Sequence, residues 1–456
     1  MSRPGCLVLA LCLVWLPTLG LAGLPPGEMT PEGRWTCKIQ FKSRPGQKKL
    51  TIDMVIQKAL AQNPGIKEAL AAVGMAEGGR VTAGLIPNPS LVGVFLNLNR
   101  DVSSHTYQLL QTIETGGKRA KRVRVADCDV AAARFELDNR VRLVVGLARR
   151  GFIRVLQALS DTECAERTLR SFDDLSGGGL SSAEKEGGPA LRVANERLDL
   201  QNELERAVLA VEVVKHDLSE LLGEPAIWDE SDVDGGMYYI STDLQLEQLR
   251  KTAFANRPDW KLANVLVDQA TSRLKLTKAQ RAWNVNVGPA VTHVDGNSDL
   301  GVGLVVSTQP QLFDRFQGEI AKDKKNIERI DANRRRVELA IERELRTLFD
   351  RYRVVKKIVQ SYRDRYLKDS VLALNTSQAA YQKRSISATD YLDTLRTYRR
   401  IQIGYRGALA EYMLALSDVD VACAAEVVRL EPVLTLGNDA EDGLYYSPTY
   451  LSGGPK

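Results

Sequence analysis

Long apolar runs are scarce in this sequence. Hydrophobic residues make up 44% of the 456 residues, yet after the N-terminal segment no window approaches the roughly eighteen apolar residues of a membrane-spanning helix. A helical membrane protein is therefore excluded. The net charge of +5 is small and spread over both halves of the chain, which gives no reason to expect a nucleic-acid partner.

Histidine is also rare, and no enzyme motif is complete. His105, His216 and His293 lie far apart in sequence, with no HxxxH or CxxC pattern, so we expect surface or packing roles and no metal held by this chain. The Gly-Gly-Lys triplet at 116–118 lacks the rest of a phosphate-binding loop. The sequence predicts a protein without enzymatic activity or cofactor. We expect the cysteines beyond the N-terminus to be buried, unpaired thiols: Cys37, Cys128, Cys164 and Cys423.

The first 22 residues have the pattern of an export signal. Arg3 precedes an almost apolar stretch, Cys6–Leu21, and the small-x-small triplet at 20–22 is typical of a cleavage site. A membrane anchor is the alternative, but Pro17 interrupts the apolar stretch and no stop-transfer charges follow it. We expect the mature chain to start near Gly23.

Two stretches of the chain repeat each other. Ala59–Pro64 (ALAQNP) matches Ala253–Pro258 (AFANRP), and Thr112–Lys118 aligns with Gln309–Arg315 at a similar offset of about 195 residues. The sequence therefore predicts a tandem duplication. Its expected parts are a signal peptide (1–22), an irregular segment (23–50), a first repeat (51–223), a linker (224–240), a second repeat (241–420) and a C-terminal tail (421–456).

Each repeat is predicted to read helix, strand, strand, helix. Strands are expected near 91–98, 106–112, 284–294 and 300–307, where side chains alternate. Long helices are expected at about 118–175, 189–222, 316–374 and 380–417, with the last two meeting at a turn near Asn375. The longest would extend about 87 Å, far beyond any bilayer, so the helical part must stand in an aqueous compartment.

The predicted strands have the length and pattern of membrane-crossing strands. Leu300, Val302 and Leu304 alternate with small residues, and about ten residues let a tilted strand cross the hydrocarbon core. Four strands cannot close, so copies must share a barrel: two copies give a filled barrel of eight strands, and three give twelve strands with a lumen. Small residues expected to point inward favour twelve: Gly93, Gly288, Ala290, Gly301, Gly303 and Ser307.

Three motifs resemble the TolC-type outer membrane efflux protein family, in particular its CzcC-like heavy-metal branch. They are QTIETGGKRAKR (Gln111–Arg122), QPQLFDRFQGEIA (Gln309–Ala321) and AAYQKRSISATDYLDTLRTY (Ala379–Tyr398), and the resemblance covers nearly all of the mature chain. It implies a mainly α protein with a small β-barrel part: a homotrimer with a twelve-stranded barrel in outer membrane lipid and a long periplasmic coiled-coil tunnel. It also implies a periplasmic adaptor (membrane fusion) protein and an inner-membrane RND transporter as partners.

The resemblance also assigns site residues. Tyr381, Asp390 and Asp393 match positions at the periplasmic aperture, where a ring of carboxylates would favour cations. The alternative is that the two aspartates only occupy the first turn of a helix. Arg384 stands where the family usually has glycine. The residues expected at the junction between barrel and tunnel are Gly116, Gly117, Lys118, Pro310, Phe313, Asp314 and Arg315.

The function expected from this resemblance is the exit duct of a tripartite RND-type efflux system for heavy-metal cations such as cobalt, zinc, cadmium, copper or silver. One alternative is a duct for multidrug efflux or type I secretion. An alternative of another class is a secreted helical scaffold, in which the four strands would be small hairpins on a soluble bundle.

Overall fold

The computed structural model describes residues 28–29, 35–36, 38–41, 48–99, 102–178, 188–294 and 300–427. The predicted signal peptide and most of the predicted C-terminal tail lie outside the described residues. The helices of the described part are α1 (Ile52–Gln62), α2 (Pro64–Gly84), α3 (Lys118–Gly178), α4 (Gly188–Leu222), α5 (Ile227–Glu230), α6 (Leu246–Asn256), α7 (Pro258–Gln280), α8 (Gln317–Ser361), α9 (Leu367–Gln382) and α10 (Ala388–Cys423).

The strands of the described part form one larger sheet and several short pairings. They are β1 (Glu28–Met29), β2 (Trp35–Thr36), β3 (Lys38–Phe41), β4 (Lys48–Leu50), β5 (Ser90–Asn99), β6 (Val102–Ile113), β7 (Ser231–Val233), β8 (Gly235–Tyr238), β9 (Val285–Val294) and β10 (Leu300–Thr308). The larger sheet is antiparallel with the order β10-β9-β6-β5, so the β5–β6 and β9–β10 hairpins join through β6 and β9. Strands β5 and β10 are its two unpaired edges.

The larger sheet is amphipathic and uncharged. None of its four strands contains Asp, Glu, Lys or Arg. The apolar face carries exposed large side chains on every strand: Leu91, Phe95, Tyr107, Leu109, Val291, Leu300, Val302, Leu304 and Val306. Cross-strand partners place Gln108, Ala290 and Gly303 together on the opposite face, which we call the small-residue face. The predicted alternation in β10 is confirmed.

The predicted orientation of Gly93 is wrong. Gly93 is the register partner of Tyr107, which pairs with Val291, and Val291 pairs with Val302. Directly opposed residues of antiparallel strands point to the same face, so Gly93 lies on the apolar face. The ring of Phe95 covers it and meets Tyr107 edge to face at 5.8 Å.

The segment expected to be irregular, 23–50, contains short strands instead. Strand β3 pairs with β8, and β4 pairs in parallel with β7, so the N-terminal segment is joined to the predicted linker. The linker side chains Val233 and Met237 are buried, and so is Leu50 at the end of β4. Burial of these apolar groups offsets the cost of ordering two segments whose composition predicts loops.

The main core lies where α1, α3, α4, α8 and α10 meet this linker. Tyr412 of α10 is completely buried between the rings of Tyr239 and Tyr352, at centroid distances of 5.0 and 5.9 Å. Its hydroxyl donates to the carbonyl oxygen of Ile240, and the Tyr352 hydroxyl donates to that of Thr242. The linker carbonyl groups are thus satisfied inside an apolar core.

The turn predicted near Asn375 is wrong. Asn375 lies within α9, which continues to Gln382 after a π-helical turn at Tyr362–Tyr366. The chain reverses at 383–387, where Ser387 caps α10. Leu374 packs with Tyr381 and Leu392 in a second, smaller core, so tertiary packing holds the helix past the weak helix former Asn375.

Gly288→Ala is expected to destabilise the sheet strongly, whereas Gly303→Ala is not. A Cβ at Gly288 would lie 1.7 Å from the backbone oxygen of Leu109, so β6 and β9 would have to separate. A Cβ at Gly303, on the same face, meets nothing within 4 Å. We expect a loss of about 3 kcal/mol or more for the first variant only, measured by thermal unfolding of detergent-purified protein. Equal stability of the two variants would contradict the described packing of β6 on β9.

Candidate functional site

The junction between β6 and α3 depends on two glycines. Gly116 and Gly117 have φ of 69° and 66°, in the left-handed region that glycine adopts without strain. A Cβ at Gly116 would also lie 2.8 Å from that of Ala282, so both the turn and the close approach require glycine here. These residues let β6 pass into α3 within a few residues.

Lys118 connects α3 to the segment between α7 and β9 at this junction. Its buried ammonium group donates to the carbonyl oxygen of Ala282 at 2.6 Å and to Oδ1 of Asn284 at 2.5 Å. Burial lowers the pKa of Lys118. Beside it, a bidentate hydrogen bond from Arg122 lowers the pKa of Glu114. The motif expected at the junction therefore fixes where α3 begins relative to both hairpins.

The second junction is a turn held by its own polar groups. Asp314 Oδ1 accepts from the backbone N–H of Phe316 at 2.9 Å, and the Arg315 guanidinium donates to the Leu312 carbonyl at 3.2 Å. Phe316 has a φ of 59°, which is unusual for a bulky residue. This turn leaves Phe313 93% exposed.

The predicted aperture residues lie at the α9–α10 turn. Arg384 has a φ of 57°, so an arginine adopts here the left-handed conformation that glycine favours. Tyr381 is 8% exposed and stacks on Tyr391 at 5.5 Å, within the smaller core. The two aspartates are exposed near the start of α10.

Asp390 and Asp393 have different local roles. Asp390 completes a capping box: its carboxylate accepts from the backbone N–H of Ser387, whose hydroxyl accepts from that of Asp390. The helix-start interpretation thus accounts for the local contacts of Asp390. Asp393 instead accepts from Arg396 at 3.0 Å. Both carboxylates remain exposed to solvent at the α9–α10 turn despite these contacts.

The sequence analysis missed two ion pairs that join α10 to α4. Arg396 Nε donates to Oε2 of Glu196 at 2.9 Å, and Arg399 pairs with Glu203 at 3.1 Å. Glu196 is only 5% exposed, and its hydrogen bond to Arg396 raises the pKa of that arginine. The sequence does contain a signal for these pairs, namely two arginines three residues apart on α10 and two glutamates seven residues apart on α4. That signal can be interpreted only once the two helices are known to be neighbours.

The structure brings two of the three histidines together. His105 and His293 are register partners on β6 and β9, although 188 residues separate them in sequence, and the Phe95 ring lies 5.5 Å from that of His105. Within the described residues, no three or more His, Cys, Asp or Glu side chains lie together as a metal site would require.

Cys128, Cys164 and Cys423 are buried free thiols.

A titratable carboxyl group lies between α3 and α10. Asp161 follows Ser160, whose carbonyl and hydroxyl oxygens both accept from the buried guanidinium of Arg406. Burial raises the pKa of Asp161 to about 6, although the charge of Arg406 acts in the opposite direction. Because the pKa is raised in the folded state, this group destabilises the fold increasingly as pH rises from about 4 to about 6.

We therefore expect Asp161→Asn to stabilise the protein at pH 7 and not at pH 4. The gain should be on the order of 1 kcal/mol, since partial exposure screens the effect. Thermal unfolding of the purified protein at the two pH values measures it. Asp331→Asn, an exposed i,i+3 pair partner on α8, is the control and should show no such pH dependence. Equal effects of both variants at both pH values would contradict the described burial of Asp161.

Comparison with known proteins agrees with this architecture. Over 382 residues the chain is 22% identical to the cobalt-zinc-cadmium resistance protein CzcC of Cupriavidus metallidurans, covering 81% of this chain and 89% of that protein. The structure is similar to a membrane protein from Pseudomonas aeruginosa (TM-score 0.68, 14% identity, 82% and 90% of the two chains). It is also similar to the outer membrane protein VceC of Vibrio cholerae (0.66, 12%, 82% and 95%) and to CusC (0.66, 13%, 83% and 93%). No protein-family model matches the chain.

The fold is thus the one found in solved outer membrane proteins such as VceC and CusC, in which barrel strands are combined with a helical tunnel. The chain is similar to TolC-type proteins in fold and to CzcC in sequence, which confirms the resemblance inferred from its motifs. None of the helices in the described ranges offers a stretch long and apolar enough to cross a membrane.

Proposed function

We propose that this chain is the outer membrane exit duct of a tripartite RND-type efflux system that exports heavy-metal cations. The observation that carries the proposal is the uncharged, amphipathic sheet with two open edges, joined to helices of up to 61 residues in a TolC-type fold. A helix of that length extends about 90 Å, so the helical part lies in the periplasm and the sheet in the outer membrane.

Three copies complete the barrel. Four strands leave two edges of unpaired backbone groups, each costing several kcal/mol in lipid, and three chains supply the twelve strands of a barrel with a lumen. The apolar face with Val302 and Leu304 then meets lipid, and the small-residue face with Gln108, Ala290 and Gly303 lines the lumen. Five of the six small residues predicted to face inward lie on that face, and Gly93 does not.

The far end of the helices forms the aperture. Tyr381, Asp390 and Asp393 lie at the α9–α10 turn. In a trimer the carboxylates of Asp390 and Asp393 would form a ring of negative charge that favours cations. The ion pairs of Arg396 and Arg399 hold this turn against α4. The partners at this end are a periplasmic adaptor and the inner-membrane RND transporter. The transporter supplies the energy for export and selects the cargo.

Heavy-metal cations are the favoured cargo because the similar protein CzcC is described as a cobalt-zinc-cadmium resistance protein. Cobalt, zinc, cadmium, copper and silver are the ions to test. The four described strands contain no charged residue, so the part of the barrel that they form offers a neutral passage. Discrimination among ions then belongs to the pump.

Glu196→Gln is expected to favour an open aperture. The change removes the charge that holds Arg396, a contact of a kind worth about 1.5–3 kcal/mol, so the open population should rise on the order of tenfold. Single-channel conductance of the purified protein in planar bilayers measures this. Glu163→Gln, which removes an exposed i,i+4 pair with Arg167 on α3, is the control. Unchanged conductance in both variants would show that the α4–α10 pairs do not hold the aperture.

Deletion of the gene should lower tolerance to at least one of the five metals. Tolerance should return with the wild-type gene, measured as growth over a concentration series of each metal salt. Sensitivity to drugs alone would assign the duct to multidrug efflux.

Extraction of the envelope separates a duct from a secreted scaffold. A barrel in lipid should require detergent for release, because its apolar face would otherwise be exposed to water. Release by high salt alone would contradict membrane insertion and favour the scaffold.

A further inference from the structure

Two pairs of exposed apolar residues lie at the base of the larger sheet, outside its strands. Leu85 and Ile86 precede β5, and Leu312 and Phe313 follow β10. All four are highly exposed, and Phe313 most of all, at 93%. They lie beyond the strand ends, on the side where the helices begin, so crossing the hydrocarbon core does not account for them.

The order of the strands decides what these pairs can meet. Strands β5 and β10 are the outer edges and run in opposite directions, since each neighbouring pair in the order β10-β9-β6-β5 is antiparallel. If copies close the sheet, β10 of one copy lies antiparallel beside β5 of the next. Thr308, at the end of one strand, then lies level with Ser90, at the start of the other.

We propose that Leu312 and Phe313 of one protomer pack against Leu85 and Ile86 of the next, forming a hydrophobic seam clasp at the base of each joint between subunits. The partner is a second copy of this chain. The inference rests on the proposed trimeric duct and adds a contact outside the strand ladder.

The turn that carries Phe313 is built to hold the ring outward before assembly. Asp314 Oδ1 accepts from Phe316 N–H, Gln317 Oε1 accepts from Arg315 N–H at 2.8 Å, and Arg315 donates to the Leu312 carbonyl. The left-handed backbone at Phe316 is a local strain retained in the same turn. A preorganised anchor loses little conformational freedom on binding.

Pro87 and Pro89 give the other half of the clasp a comparable restriction. They restrict the chain between Leu85 and β5, which holds Leu85 and Ile86 at the end of α2. Gly84 and Leu85 also accept hydrogen bonds, from Arg119 and Arg122 of α3. Both sides of the clasp are therefore fixed within one protomer and still exposed.

Cysteine cross-linking tests the proposal directly. Ile86→Cys combined with Leu312→Cys in one chain should give covalently linked dimers and trimers on non-reducing gels after mild oxidation of intact cells. Ile86→Cys with Leu300→Cys is the matched control, because Leu300 begins β10 and lies about 30 Å from its other end. Strong linking in the control, or none in the test pair within an intact trimer, would overturn the clasp.

Side-chain truncation gives an independent measure. Phe313→Ser should speed dissociation of the detergent-purified trimer about tenfold or more on heating, while Phe313→Leu should retain most of the kinetic stability. Leu191→Ser, at an exposed apolar residue near the far end of the helical part, is the control and should have no effect. A stable Phe313→Ser trimer would refute the clasp and leave the duct intact. A wild-type protein that is monomeric in mild detergent would refute the duct itself.

Discussion

The backbone hydrogen bonds that the two outer strands leave unmade are the constraint on which the rest of this structure depends. A sheet of four strands has two such edges, and water can satisfy them only outside the membrane. In the proposed duct the apolar face meets lipid, so the edges of the sheet would pair with those of other copies. Under that proposal the need to assemble follows from the number of strands, before any contact between subunits is considered.

Much of the sheet was predictable because its strands are short, uncharged and alternating. In β10 one face has branched side chains and the other has mostly small ones, so sequence alone identified both faces. In β5 this was not so: Val92 and Val94 alternate with Leu91 and Phe95, and both sets are apolar. Only the register with Tyr107 shows which set shares a face with Val302, and register is a property of two strands.

In the helical part the sequence predicted the helices but not where they end or which of them pair. Its existence and length followed from composition, but the place of the final turn did not, because a helix continues through Asn375 when Leu374 and Tyr381 have a core to fill. The pairing of Arg396 with Glu196 was equally hidden, since it depends on which helices are neighbours. Local motifs did identify the junction: the positive φ angles of Gly116 and Gly117 are the physical reason for the two glycines there.

The pairing of β3 with β8 and of β4 with β7 also constrains the order of folding. Each pair of strands joins segments separated by nearly two hundred residues, so a chain that emerges amino end first can form them only after the middle of its sequence has followed. Helices α3 and α4 can associate earlier, because they are adjacent in sequence. Until residues 231–240 emerge, the apolar groups that they later cover stay exposed to water, and exposed apolar surface favours aggregation.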